Sequence, residues 1–207
     1  MQITLNTIGK RYNYEWIFRN VNYDFTENNS YVILGSNGSG KSTLLQVILG
    51  SIIPSHGEIT YNHAGASILP ETIFKSVSFA SPYMEVYEEF TLLELIEFHA
   101  KFKPFIKNID FQQIIAISDL EKAKNKPIKQ FSSGMKQRVK LTLAILSDTP
   151  LLLLDEPTSN LDKKAIDWYQ QLITNYTQNR LVIVCSNQIE HEYFFCKKQL
   201  SIEDYKQ

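Results

Sequence analysis

Four residues in one short run are of the type and spacing that hold a phosphate. In GSNGSGKST, the residues Gly35, Gly40, Lys41 and Ser42 satisfy G-x-x-x-x-G-K-[ST]. Three of the chain's eight glycines fall within these few positions, so the backbone can bend tightly and its N–H groups, from Ser36, Asn37, Gly38, Ser39 and Gly40, can approach anionic oxygens. A following helix would turn its positive end to the same anion. Lys41 would reach the β- and γ-phosphates of a nucleotide, and Ser42, with Thr43 beside it, would hold Mg²⁺.

A second run raises a question of charge. LLLLDEPTSNLD begins as a strand buried on both faces and ends in two adjacent acids, Asp155 and Glu156. Unpaired charge is costly in an apolar interior. A strand lying beside a phosphate loop resolves the conflict: its leucines are buried while its acids face the nucleotide. Asp155 would then hold Mg²⁺ through water, and Glu156 would stand next to the attacking water. An ordinary glutamate, with a pKa near ~4.3, is already ionised at neutral pH and can polarise that water.

These residues need elements to carry them. ITLNTI (3–8) and VNYDF (21–25) alternate as half-buried strands do, and SYVIL (30–34) is apolar throughout. KSTLLQVIL reads as a helix closed by Gly50. The strands EITYN and SVSFA follow, and then the pattern changes. Thr91 and Glu94 form a capping box ahead of LLELIEFHAKF, and the segments 110–120 and 133–147 are also helical in period. LLLLD, a helix near 163–178, the strand LVIVC (181–185) and a final QLSIEDY restore the strand–helix alternation of a mostly parallel sheet.

Composition narrows the function classes. With 207 residues and 43% hydrophobic content, the chain can bury a full core as one domain. A net charge of −1 gives no electrostatic reason to expect nucleic acid. No apolar run approaches the ~20 residues of a membrane span, and MQITLNTIGKRY lacks the apolar core of a secretion signal, so a cytoplasmic location is expected. Cys185 and Cys196 read as reduced core thiols; His56, His63, His99 and His191 are scattered without metal-ligand spacing.

The order of motifs resembles a known family. GSNGSGKST, then FSSGMKQR (131–138), then LLLLDEPTSNLD are similar to the Walker A, signature, Walker B and D-loop series of ATP-binding cassette (ABC) ATPases. The resemblance covers nearly the whole chain. It implies an α/β fold: a phosphate-loop core with a mostly parallel sheet, an antiparallel β portion near the N-terminus and an inserted helical lobe. One domain would span 1–207, its core 1–80 and 150–207 and its lobe 81–149. ATP and Mg²⁺ are the implied cofactors. Two such domains would pack head to tail as a homodimer, with Ser132, Ser133 and Gly134 of one copy at the γ-phosphate bound by the other. Asp162 would couple the two sites, and Tyr12 would stack on adenine, unless it is a packing tyrosine or shares the role with Tyr14 or Trp16.

Departures from the family pattern also stand in the sequence. The signature reads Phe131-Ser132-Ser133-Gly134-Met135 in place of LSGGQ. Ser81 or Pro82 occupies the place of the Q-loop glutamine, and Asn187 the place of a histidine that touches the γ-phosphate; an amide can donate a hydrogen bond but cannot become cationic. Two functions are compatible with this. One is an ATP-hydrolysing transporter subunit, with GMKQR and the lack of a C-terminal regulatory extension leaning toward export, peripheral at the inner membrane face through a separately encoded transmembrane permease. The other is a slow nucleotide-gated switch or scaffold. Tyr83, Met84, Val86 and Tyr87 would line a groove remote from the phosphates, for a partner helix or for lobe packing.

Overall fold

A computed structural model of the chain describes residues 1–206. Alternation builds its first layer. β1 (Gln2–Tyr12) buries Ile3, Leu5 and Ile8, and β2 (Glu15–Phe25) buries Phe18, Val21 and Phe25. The two pair antiparallel around a tight hairpin at Asn13, whose φ of +53° lies in the left-handed region that asparagine tolerates. β4 (His56–His63) joins the other edge of β1, and the short β5 (Ala66–Ile68) completes the order β2-β1-β4-β5. Both leading strands outrun the sequence expectation of 3–8 and 21–25. The register between them shifts at Leu5/Ile8, Ile8/Lys10 and Lys10/Arg11, and such bulges break the period-2 signal.

A second sheet has the order β6-β7-β8-β3-β9 and is parallel throughout: β3 (Ser30–Leu34), β6 (Val77–Ala80), β7 (Leu151–Asp155), β8 (Leu181–Ser186) and β9 (Lys198–Ser201). The leucine run now has its explanation. Leu151 and Leu153 enter the core shared with the antiparallel sheet, while Leu152 and Leu154 enter the core beneath the helices. Successive side chains of a strand point to opposite faces, so a strand covered on both sides must be apolar at every position.

Helices cover both faces. α1 (Lys41–Ile48) packs in the first core; its last turn is held by the Tyr61 hydroxyl, which donates to the Ile48 carbonyl at 3.0 Å, and Gly50 follows with φ +78°. Between β6 and β7 come α2 (Leu92–Ala100), α3 (Phe111–Ile117) and α4 (Ser133–Leu146). Capping boxes at Thr91/Glu94 and at Asp110/Gln113 start the first two, each cap contributing about 1 kcal/mol. α5 (Lys163–Tyr176) and the single turn α6 (Glu190–Tyr193) flank β8. Because the five parallel strands run the same way, the loops after β3, β6, β7 and β8 emerge along one edge, where such sheets take their ligands. No helix of the described residues is long and apolar enough to cross a membrane.

Candidate functional site

The loop after β3 is an anion cradle. Gly38 and Gly40 have φ of +74° and +102°, and a Cβ on Gly40 would stand 2.6 Å from Ile17 Cγ2. Conformation and space both require glycine there. Gly35 is equally confined, since a Cβ would come within 2.4 Å of Ser39 Oγ. Lys41 is 4% exposed, and its ammonium donates to the carbonyls of Gly35 and Ser36 at 2.8 and 3.0 Å. The cation is thereby held inside the loop, at hand for a phosphate. Ser39 Oγ is buried with no hydrogen-bond partner. An open depression of about 380 Å³ is lined by Ile17, residues 37–43, Tyr83 and Glu156.

The two acids differ in setting. Asp155 is 4% exposed, and burial raises its pKa, with a hydrogen bond from the Ser42 hydroxyl acting in the opposite direction. Its Oδ1 is buried without a partner. An orphaned carboxylate oxygen beside a serine hydroxyl is a pair of hard donors suited to a small divalent cation whose other ligands are phosphate and water. Among the described residues no cluster of three or more His, Cys, Asp or Glu could hold a metal by itself. Glu156 faces the depression, with φ +41°, an uncommon conformation for a residue with a side chain. Its N–H donates to the Cys185 carbonyl at 2.9 Å, and its carbonyl accepts from Ser159 N at 3.1 Å.

Other expected residues lie elsewhere. Ser132, Ser133, Gly134 and Asp162 line a separate depression of about 570 Å³ together with Asp119, Arg138 and Lys164. Ser132 caps α4, accepting from Met135 N at 3.3 Å, and Asp162 caps α5, accepting from Ala165 N at 2.8 Å. Ser133 is exposed, whereas a Cβ on Gly134 would meet the Asn160 carbonyl at 2.9 Å, so the signature keeps the glycine its packing needs. Asn187 is exposed just beyond β8 and lines neither depression. Tyr12 is half exposed with Lys10 Nζ 5.1 Å from its ring centroid; Trp16 and Ile17, not Tyr12, stand beside Gly38.

Homology settles what this edge of the sheet belongs to. The family model described as ABC transporter matches residues 18–159, more than half of the chain. The chain belongs to the ABC transporter family. It is similar to the uncharacterized ABC transporter ATP-binding protein YybJ of Bacillus subtilis, 31% identical over 175 residues, which cover 83% of this chain and 78% of YybJ. The lantibiotic transport ATP-binding protein SrtF of Streptococcus pyogenes is 28% identical over 92% of this chain and 81% of its own. A solved dimeric bacterial ABC transporter cassette, MJ0796, superposes with a TM-score of 0.80 at 25% identity, over 97% of this chain and 95% of that one. The protein is thus an ABC transporter ATP-binding subunit and an ATPase.

In this ABC subunit the loop after β6 corrects one expectation. Tyr83 and Tyr87 do not share a groove remote from the phosphate loop. Tyr83, 86% exposed, lines the phosphate-loop depression, because Ser81 turns the chain there: Ser81 Oγ accepts from Tyr83 N at 3.3 Å, and Lys140 Nζ holds the Pro82 carbonyl at 2.7 Å. Tyr87 instead stacks in the lobe, its ring centroid 5.5 Å from that of Phe90 and 5.1 Å from that of Phe98. The cysteines are free thiols, and burial pushes Cys196 up to about 12.

Sequence reasoning also missed two acids. Glu203 accepts from Ser36 N at 2.8 Å, and that bond is the leading cause of its lowered pKa. Glu192 is buried beneath the loop that follows Glu156. Neither has a local signal: one lies 167 residues from its partner, the other follows a histidine in an otherwise aromatic run.

Proposed function

We propose that this subunit works as a head-to-tail homodimer that closes on ATP and Mg²⁺ and drives a separately encoded transmembrane permease from the inner face of the membrane. One observation carries the reading: in a single copy, the phosphate-loop residues and the signature residues line two different depressions. Each is half of a nucleotide site, and two copies related by a two-fold axis would make two whole ones. The likeness to a cassette described as dimeric agrees with this.

Within each site the residues divide the work. Lys41 exchanges its two loop carbonyls for β- and γ-phosphate oxygens, and the loop N–H groups from Ser36 to Thr43 bind the remainder. Ser42 and Asp155 would hold Mg²⁺, which when bound supplies positive charge to the phosphates. Glu156 orients and polarises the attacking water. Asn187 donates a neutral hydrogen bond where a cation is usual. The partner copy's signature brings the N-terminus of its α4 to the γ-phosphate, and Asp162 at the head of α5 couples the sites. Tyr12 or Trp16 covers the base. The lean toward export rests on GMKQR.

Size-exclusion chromatography of Glu156→Gln tests the assembly. With MgATP the variant elutes as a dimer, and with ADP as a monomer; a monomer in both conditions overturns the proposal. A second reading, a slow nucleotide-gated switch, is favoured by the departures at Ser81/Pro82 and Asn187. Reconstitution with the permease separates the two, since a switch regulates without moving substrate.

A further inference from the structure

Beneath the two loops that carry Glu156 and Asn187 lies a carboxylate with no exposure at all. Glu192, on α6, is 0% exposed. Its Oε2 accepts from Ser186 Oγ at 2.5 Å, and its Oε1 accepts from Thr158 Oγ1 at 2.9 Å and Thr158 N at 3.2 Å. Its own carbonyl accepts from the Tyr169 hydroxyl at 2.8 Å. Thr158 has one hydroxyl proton, which goes to Glu192. His191 Nε2 stands 3.1 Å from the same Thr158 Oγ1. Three donors thus converge on one carboxylate and oppose the burial that raises its pKa.

The positions of the partners give the network its meaning. Thr158 follows Glu156 by two residues, and Ser186 immediately precedes Asn187. Glu156 holds a left-handed backbone, a strained conformation that persists only where its surroundings over-determine it. Gln137 Nε2 donates to the Pro157 carbonyl at 2.9 Å, and Glu192 fixes the next residue. We propose that Glu192 is a positioning residue for ATP hydrolysis. Its buried carboxylate sets Thr158, and through it the aim of Glu156, in register with the Asn187 loop, while touching no nucleotide. The proposal rests on Glu156 being the water-orienting group.

Steady-state MgATP kinetics and nucleotide titration on the full chain test it, with Glu156→Gln as control and circular dichroism as the check on folding. Glu192→Leu leaves Thr158 without its acceptor; Thr158→Val removes the donor hydroxyl. Each lowers kcat about tenfold with KM and ATP affinity within about twofold, and the double variant is no worse than the worse single. Glu192→Gln, whose amide oxygen still accepts from Thr158, recovers most of the rate. Folded variants with kcat within about twofold of wild type, losses that multiply, or losses confined to KM overturn the proposal. Should Glu192→Leu not fold, Thr158→Val and Ser186→Ala decide by the same criteria. Wild-type turnover in Glu156→Gln refutes the underlying reading instead, and is distinguishable because it leaves the Glu192 effect, if any, without its target.

Discussion

The loops after β3 and β6 leave the same edge of one sheet and both border the same depression. The first meets that space with main-chain groups, with two glycines at positive φ and a lysine folded back into the loop. The second meets it with one exposed side chain, Tyr83, on a turn set by Ser81 and Lys140. A site made of backbone N–H groups has few sequence solutions, because conformation and close approach exclude almost every residue but glycine. A site made by a single side chain at a turn can be rebuilt with another residue one or two positions away. The phosphate loop matches its motif fully, while the Q-loop region beside it does not.

Lys41→Ala strikes the first loop hardest. It is expected to weaken MgATP binding by more than about 100-fold in a folded protein; unchanged affinity by titration would remove this loop from nucleotide binding. Glu156→Gln changes a side chain that lines the depression both loops border and that is proposed to orient the attacking water. Its turnover is expected to fall about 100-fold with ATP still bound, and a phosphate-release assay reads the loss.

The second loop is expected to give smaller effects and to split in two. Tyr83→Ser should change the KM for ATP by roughly three- to tenfold, while Tyr87→Ser leaves it alone and lowers stability by about 1 kcal/mol as ring packing in the lobe is lost. Equal kinetic effects at both positions would return them to a common groove. Asn187→His is the gentlest test. An imidazolium near the γ-phosphate should raise kcat about two- to threefold, more than it lowers KM; no change in either constant would show that the loop after β8 stays away from the phosphates.

What the sequence discloses follows the same division. SYVIL and LLLLD are readable because a strand buried on both faces must be apolar at each step, and Thr91 with Glu94 is readable because a capping box is local. The phosphate loop and the signature are readable as motifs, whereas their position in two separate depressions of one copy is a matter of tertiary placement. Tyr83 is hidden because nothing in its neighbours shows that Ser81 turns the chain toward Glu156. Glu192 and Glu203 are hidden for a related reason. A buried or bonded acid is recognised by its donors, and Thr158 and Ser36 lie 34 and 167 residues away from them. β5, three residues long, is too brief for any periodicity to register.

The position of β3 also sets a timetable for biosynthesis. Both of its neighbours, β8 and β9, are synthesised after the other strands of the sheet, so Ser30 waits about 150 residues for Val182 to leave the ribosome. At ~5–20 residues per second this is roughly 8–30 s, during which an apolar strand has open edges on both sides. The helical segments α2 to α4 form from nearby sequence and need no such delay. A nascent chain halted before β8 therefore contains Gly35, Lys41, Asp155 and Glu156 in full, yet has no frame to set them against one another and no nucleotide site.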